Sequence, residues 1–221
     1  MRCRNLDGKK QEVEEERVTE ILARLEQLYP EANCALLHQD PYQLLVATVL
    51  SAQCTDVRVN LVTPTLFKSY PNLQSLAQAD HEELQEIIYS TGFFRNKARN
   101  LISTAKRLVE DFDSEVPNTM EDLLKLSGVA RKTANVVLGT AFGISSGVVV
   151  DTHVKRLSRR LGLTHEDSPV KIEKDLMVKI PESRWIDFSH QLIHHGRKIC
   201  KSQRPQCERC ALADLCPYYQ H

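Results

Sequence analysis

The sequence predicts an all-α protein, and three observations lead to this fold class. Apolar residues recur with a period near 3.6 along most of the 221 residues. Helix-opening signals, in which a capping residue precedes Pro or an acidic turn, stand between the apolar segments. The one strand-like segment, residues 148–150, is too short to found a sheet. About ten helices of ordinary length are therefore expected.

The helices can be placed in chain order from these signals. Residues 1–12 predict a loose charged tail. The first helix follows it with one apolar face, formed by Val18, Ile21, Leu22, Leu25 and Leu28. Start signals of later helices stand at Asp40-Pro41, Asp80 with Glu83, Thr119 with Asp122, and Ser168-Pro169. Pro64 interrupts an otherwise helical stretch and predicts a kink or a break.

The charges balance overall but are unevenly distributed. Lys and Arg together number 29, as do Asp and Glu, so net charge alone gives no reason to expect a nucleic-acid partner. Residues 11–31 carry seven Glu and two Arg, whereas residues 151–162 carry four basic residues and one Asp. Residues 196–210 carry five basic residues and one Glu. A neutral protein can present a basic face in this way, although ordinary solvated helix faces account for the pattern equally well.

No segment of the chain has the pattern of a membrane anchor or a signal peptide. No apolar run approaches the ~18 residues that a spanning helix needs. The N-terminal residues are charged and contain no apolar signal region. We therefore expect an intracellular, cytoplasmic protein with no membrane partner.

Four of the seven cysteines lie close together near the end of the chain. Cys200, Cys207, Cys210 and Cys216 follow the spacing C-x6-C-x2-C-x5-C. A disulfide pair is disfavoured in an intracellular protein, whereas four thiolates suit either a zinc ion or a four-iron cluster. The compact spacing, with a single C-x2-C pair, favours an iron–sulfur cluster over zinc but leaves zinc open. The short basic loop after the first cysteine can hold Lys201 and Arg204 towards a phosphate backbone.

Residues 119–142 are predicted to form a helix, a tight turn and a second helix. Gly128 supplies a backbone that can adopt positive φ in the turn. Unpaired N–H groups at the start of the second helix, near Gly128, Val129 and Ala130, would form an anion site beside Arg131. A DNA phosphate bound there would be held through backbone atoms, without sequence preference.

Lys132 lies in the first turn of that second helix. An amine nucleophile must attack in its neutral form, and the positive helix end, adjacent Arg131 and burial against Val136 and Val137 would all favour that form. The alternative is an ordinary exposed lysine. Asp151 precedes another helix and has the position of an N-cap, which does not exclude a catalytic role for a carboxylate held in one orientation.

These motifs resemble endonuclease III, a helix-hairpin-helix family of DNA base-excision glycosylases with a four-iron cluster. The resemblance rests on "LSGVARKTANVVLGTAFG", "VVVDTHVKRL" and the cysteine spacing, in family order. It extends upstream through "LLVATVLSAQCTDVRVN" and "STGFFRNKARN" and covers about residues 18–217. The match involves three separate motifs.

The resemblance implies two all-α lobes with a DNA-binding cleft between them. A six-helix barrel lobe would cover residues 35–145 and contain the helix-hairpin-helix at 119–142. Residues 13–34 and 146–221 would form the second lobe, with the 4Fe-4S cluster loop at 200–216. The implied enzyme is a monomer that flips a damaged base out of duplex DNA, releases oxidised or ring-fragmented pyrimidines, and cuts the strand 3′ to the abasic site by β-elimination.

The resemblance also assigns roles to individual residues. Lys132 matches the nucleophile that forms a Schiff base, and Asp151 matches the catalytic aspartate. Gln53 matches a residue that fills the gap left by the flipped nucleotide. Phe93 stands at the position of an apolar wedge, where members often carry Leu, and His153 matches a residue near the base pocket.

Two positions of the turn depart from the family pattern L-P-G-V-G. Ser127 replaces Pro, and Ala130 replaces the second Gly. An alanine cannot readily adopt positive φ, so it is harmless only if this position is already helical. We expect a helical backbone there.

Three rival functions fit parts of the same pattern. An adenine glycosylase of the superfamily would lack the lysine and carry a further C-terminal domain, and a thymine-mismatch glycosylase would usually lack the lysine. A non-catalytic DNA-binding protein would keep the turn and the cysteines. The presence of both Lys132 and Asp151 favours the glycosylase and lyase.

Overall fold

The protein is all-α, as its sequence predicts. The computed structural model describes residues 4–220, with side chains from Glu12 onward, and contains no strand in that range. Short 3₁₀ turns lie at Tyr89–Thr91, Glu182–Arg184, Cys207–Arg209 and Ala213–Leu215. The α-helices of these residues are α1 (Arg4–Leu28), α2 (Pro41–Leu50), α3 (Asp56–Ser69), α4 (Leu73–Ala77), α5 (His81–Ile88), α6 (Phe94–Asp111), α7 (Met120–Leu123), α8 (Arg131–Phe142), α9 (Thr152–Arg160), α10 (Pro169–Lys179), α11 (Trp185–Lys198) and α12 (Pro217–Gln220).

The first helix differs from its prediction at both ends. The loose tail predicted over residues 1–12 is wrong from Arg4 onward, where the backbone is helical, and residues 1–3 lie outside the described residues. Lys, Glu, Gln and Arg fill most of this segment and are good helix formers, which favours an extended helix over a tail. Leu28 at the other end is 41% exposed instead of buried.

Most of the predicted helix starts are formed by capping side chains. Asp40 accepts a hydrogen bond from the Gln43 N–H at 2.8 Å, and Asp80 accepts from the Glu83 N–H at 2.9 Å. Thr119 accepts from the Asp122 N–H in the same way. Each such cap stabilises its helix by about 1 kcal/mol. The break predicted at Pro64 is absent, since α3 continues through it to Ser69.

The strand-like segment at residues 148–150 is a buried connection. Its three valines are apolar and almost inaccessible to solvent. The N–H of Val149 donates to Oγ of Ser189 at 3.1 Å, so a side chain satisfies this amide in place of a neighbouring strand.

The helices group into two compact units, each with its own apolar core. The terminal unit comprises Met1–Asn33 and Gly147–His221, and the central unit comprises Cys34–Ser146. Fully buried residues of the terminal core include Ile21, Leu25, Val154, Leu157, Phe188 and Leu192. Those of the central core include Leu50, Leu66, Leu84, Ile88, Leu108 and Val137. Among the described residues, no helix is both long and apolar enough to cross a membrane.

Candidate functional site

The turn between α7 and α8 requires glycine at one position for two reasons. Gly128 has φ of +75°, which L side chains rarely adopt. A Cβ at this position would also lie 2.7 Å from Nδ2 of Asn100. The next residue, Val129, is buried, and its N–H donates to the Leu126 carbonyl at 3.2 Å. The turn is therefore packed closely against α6 within the central unit.

Helix α6 holds the turn by side-chain hydrogen bonds. Oγ1 of Thr104 donates to the Ser127 carbonyl at 2.9 Å, and the hydroxyls of Ser103 and Ser127 lie 2.9 Å apart. Arg107 donates to the Lys125 carbonyl at 3.2 Å. Ser127 thus replaces the stiffness of the usual proline with a hydrogen bond to the neighbouring helix.

Ala130 tolerates the loss of glycine without strain. Its φ of −95° and ψ of 169° are extended, so the expectation of a helical backbone is wrong, but the region is one that any L residue adopts. Ala130 is the N-cap of α8 and offers no side-chain acceptor to the first turn. No side chain therefore caps the start of α8, which is the arrangement of an anion-binding helix end.

Lys132 is the second residue of α8 and is exposed. The burial predicted against Val136 and Val137 is wrong, because Val137 packs into the core while Lys132 faces solvent from the first turn. The charges near the amine are the positive end of α8 and adjacent Arg131. The exposure leaves the amine accessible to a large substrate.

Gln53 and Phe93 share an unusual backbone that the sequence did not predict. Gln53 has φ of 54° in the turn between α2 and α3, and Phe93 has φ of 50° immediately before α6. Both side chains are exposed, and that of Phe93 is 61% exposed despite being large and apolar. Backbone held in this region for residues other than glycine is enriched at functional sites.

Lys97 is a polar residue of the central unit that sequence reasoning missed. It lies in the first turn of α6 and is only 5% exposed. Its Nζ donates to the carbonyls of Leu50 and Thr91, both at 2.8 Å. Burial lowers the pKa of this amine. Its register, four residues before Leu101 and eleven before Leu108, places it on the buried face of α6, and this spacing is the signal that could have revealed it.

Asp151 and His153 lie at the start of α9 in the terminal unit. Asp151 is the N-cap, and its Oδ1 accepts from the Val154 N–H at 2.8 Å. His153 packs in the same unit with Nδ1 3.2 Å from Nη2 of Arg156. A Cβ at Gly196 would lie 2.7 Å from the same Nδ1, so α11 approaches this ring closely.

The four clustered cysteines line one cavity of the terminal unit. The cavity is small, and apolar side chains such as Leu157 and Leu161 complete its wall. None of the four forms a disulfide. In the described part of the chain, no group of three or more His, Cys, Asp or Glu side chains is arranged to hold a metal ion. Burial raises the pKa of the Cys210 and Cys216 thiols, which lie in this shared apolar space.

Two arginines and a histidine surround these cysteines and were not predicted. Arg160 donates to Sγ of Cys200 at 3.3 Å and to the carbonyls of Lys201 and Ser202 at 2.8 and 3.0 Å. Arg156 donates to the Cys200 carbonyl at 3.0 Å. These bonds tie the basic loop to α9.

His195 of α11 contacts the same cysteines from another direction. Its Nδ1 lies 3.0 Å from the hydroxyl of Tyr29, and its Nε2 lies 3.4 Å from Sγ of Cys210. Burial lowers the pKa of His195 to about 4, so the ring is neutral near pH 7. Lys201 and Arg204 are exposed on the loop, and Arg204 has φ of 50°.

Comparison with known proteins agrees with this fold. The model of the HhH-GPD superfamily of base excision DNA repair proteins matches residues 46–182. Endonuclease III of Synechocystis sp. is 58% identical over 98% of this chain and 97% of its own length, and that of Bacillus subtilis is 46% identical over 88% and 89%. The structure of a trapped endonuclease III–DNA covalent intermediate superposes with a TM-score of 0.89 at 43% identity, covering 93% of this chain and 97% of the other.

These matches define first a class and then a family. The class is the helix-hairpin-helix base-excision repair proteins. Within it, the chain belongs to the endonuclease III family, and it is a bifunctional DNA glycosylase and AP lyase.

Proposed function

We propose that this enzyme excises oxidised or ring-fragmented pyrimidines from duplex DNA with Lys132 as its nucleophile. The observation that carries the proposal is the exposed amine of Lys132 in the first turn of α8, directly after a turn whose amides lack a capping side chain. A phosphate bound by the backbone at Gly128 and Ala130 would bring the adjoining sugar to this amine.

The reaction then proceeds through base displacement, Schiff-base formation, β-elimination and hydrolysis. The neutral amine of Lys132 attacks C1′ of the damaged nucleotide, the bond from C1′ to the base nitrogen breaks, and the base leaves with a proton. The proton that leaves with the base comes from the amine, and the other amine proton passes to O4′ as the C1′–O4′ bond breaks and the sugar ring opens, which gives a Schiff base. Removal of a proton from C2′ expels the 3′ phosphate by β-elimination, and water releases the sugar fragment from the lysine.

Asp151 contributes a carboxylate in a fixed orientation. One oxygen caps α9, which fixes the side chain, and the other retains acceptor capacity. We assign to it the support of the base displacement and of the proton transfers that follow.

Gln53 and Phe93 are assigned to the DNA duplex itself. Both are exposed at the tips of neighbouring loops of the central unit. Gln53 would fill the gap left by the flipped nucleotide, and Phe93 would stack on the unpaired base, since an aromatic ring both wedges and stacks. His153 is assigned to the base pocket, and Arg131 to a phosphate.

The four cysteines are proposed to hold a 4Fe-4S cluster. The compact spacing with a single C-x2-C pair favours the cluster over zinc, and all four cysteines line one shared cavity. When bound, the cluster would cross-link the terminal loop structurally, which holds Lys201 and Arg204 in place towards phosphates. Iron and sulfide analysis of the purified protein distinguishes the cluster from zinc.

Borohydride trapping tests the central assignment. Incubation with abasic or thymine-glycol DNA and borohydride should yield a covalent adduct, and Lys132→Gln should abolish it, because only an amine forms a reducible Schiff base. Lys125→Gln is the matched control, since it removes another exposed lysine, which lies six residues before the start of α8. An adduct that persists in Lys132→Gln would disprove the assignment.

A substrate panel tests the rival specificities. Excision is measured on oxidised pyrimidines and on mismatched adenine and thymine. We expect oxidised pyrimidines to be released and the mismatched bases to remain.

We further propose that the enzyme acts on chromosomal DNA as a cytoplasmic monomer.

A further inference from the structure

One buried cation connects the two loops that carry Gln53 and Phe93. Lys97 reaches from α6 to the carbonyls of Leu50 and Thr91, at 2.8 Å each. Leu50 is the last residue of α2 and stands three positions before Gln53. Thr91 ends a 3₁₀ turn and stands two positions before Phe93.

Both carbonyls lie where a helical element ends and its backbone acceptors lack helical partners. Lys97 therefore satisfies two acceptors that the secondary structure leaves unpaired. The side chain is 5% exposed, and a buried ammonium is tolerated only when its hydrogen bonds are made. The requirement also restrains the loops, because movement of either loop would remove one of the two hydrogen-bond acceptors of the cation.

The remaining hydrogen bonds hold each loop to its own element. In the first loop the N–H of Cys54 donates to the Ser51 carbonyl at 3.1 Å. In the second the N–H of Gly92 donates to the Tyr89 carbonyl at 3.3 Å. These local bonds do not set the distance from one loop to the other, whereas the bonds of Lys97 do.

The backbone conformation of both loop tips must also be held by contacts from outside the loops. Gln53 and Phe93 have positive φ, which residues other than glycine hold only when the surroundings over-determine the conformation. Lys97 bonds the carbonyls three positions before Gln53 and two positions before Phe93, and these bonds supply such a constraint.

We propose that Lys97 is a positioning residue that fixes the spacing of Gln53 and Phe93, so that both side chains enter the duplex together when the damaged nucleotide leaves it. This inference rests on the proposed roles of Gln53 and Phe93. Lys97 acts through them and does not contact DNA, because its amine is enclosed by protein.

The test is a double-mutant cycle in the full-length enzyme. Lys97→Met removes both hydrogen bonds while retaining a long unbranched side chain. Single-turnover excision of thymine glycol from duplex DNA should fall by about tenfold or more in this variant, since small misplacements of positioning groups have effects of this size. In a Gln53→Ala/Phe93→Ala background the same substitution should reduce the rate by no more than about twofold.

A second substrate separates positioning from general damage to the protein. Cleavage of single-stranded abasic DNA uses the amine of Lys132 but requires no nucleotide to be flipped from a stack. Lys97→Met should change this rate by less than about threefold. Both rates are measured on one protein sample, so a fraction of unfolded molecules cancels from their ratio. If Lys97→Met does not fold, Lys97→Gln, which keeps an N–H donor, replaces it in the same cycle.

Tyr42→Phe is the matched control for loss of a buried hydrogen bond. The hydroxyl of Tyr42 donates to the Tyr70 carbonyl at 2.7 Å within the same unit, at neither loop. This variant should leave the ratio of the duplex and single-strand rates unchanged. A ratio that falls as far in Tyr42→Phe as in Lys97→Met would overturn the inference.

The two levels of the proposal fail in different ways. If Gln53→Ala/Phe93→Ala excises from duplex DNA at the wild-type rate, the proposed roles of these residues are wrong and the inference falls with them. If that double variant is impaired but Lys97→Met is not, or if the losses simply add, only the inference about Lys97 is wrong.

Discussion

A single glycine sets the strictest condition on the proposed phosphate site. Gly128 combines φ of +75° with the close approach of Asn100, so Gly128→Ala should lower the free energy of unfolding by about 1–3 kcal/mol through strain and crowding together. The binding of abasic DNA should weaken about tenfold or more, because the turn amides shift. Thermal unfolding and a DNA-binding titration measure both effects.

Gly143 provides the matched control for this substitution. Its φ is +65°, but a Cβ there would meet no atom within 4 Å. Gly143→Ala therefore reports the backbone strain alone. Equal losses of stability in the two variants would show that the contact with Asn100 contributes nothing.

Ala130 should prove nearly neutral, despite its departure from the family pattern. Its φ of −95° requires no glycine, so Ala130→Gly should change the affinity for abasic DNA by less than about threefold. The small gain that glycine offers at an N-cap acts in the same direction as any gain in DNA approach. A tenfold increase in affinity would mean that the alanine methyl obstructs the phosphate.

At the scale of single residues, the sequence predicts locally encoded features but not the burial or backbone conformation of each residue. The glycine and lysine at the start of α8 and the aspartate that caps α9 can be read from the chain because these features are local. The exposure of Lys132, the extended backbone of Ala130 and the burial of Lys97 depend on residues distant in sequence. Lys97 in particular is bound by carbonyls 47 and 6 positions away, which no local pattern reveals.

At the scale of elements, α6 supports both parts of the proposed DNA interface in the central unit. Its first turn supplies Lys97 to the loops of Gln53 and Phe93, and its middle supplies Thr104 to the hairpin turn. The structural consequence is that substitutions on α6 can affect DNA binding without touching DNA.

Thr104→Val tests the support of the turn. It leaves the Ser127 carbonyl without its donor, so the free energy of unfolding should fall by about 1–3 kcal/mol, and DNA affinity should fall with it. Thr48→Val is the control, because the buried hydroxyl of Thr48 bonds the Leu44 carbonyl within its own helix. Equal DNA affinity in the two variants would rule out a supporting role for Thr104.

Helix boundaries were predictable where a capping side chain marks them, as at Asp40 and Thr119. They were not predictable where the helix simply continues, as before Val13 and through Pro64. Good helix formers extend a helix in the absence of a stop signal, and one proline does not end a helix that packing supports.

For the whole molecule, the period of 3.6 predicts helices but not how they associate. The terminal unit joins α1 to α9, α10 and α11, which lie more than 120 residues later in the chain. That association depends on complementary apolar faces, such as those of Ile21 and Phe188. The sequence pattern of one apolar face resembles that of another, so it does not show which helices pack together. The resemblance to a family, not the periodicity, supplied the expectation of lobes.

Because the two units have separate cores, loss of the proposed cluster should destabilise some helices more than others. All four cysteine ligands belong to the terminal unit, where Arg160 ties their loop to α9 and His195 of α11 contacts Cys210. Cys216→Ser should remove a ligand and loosen the apolar cavity that these helices enclose. Amide hydrogen exchange should then accelerate in α9 and α11, because local opening follows the loss of local packing.

The central unit should respond differently, since α6 and α8 are buried in a separate core. Their amides should keep their protection in Cys216→Ser, and so should both units in the control Cys34→Ser, which changes a cysteine outside the cluster. Iron analysis of each variant establishes whether the cluster is retained. An even loss of protection across both units would show instead that the cluster stabilises the chain as one cooperative body.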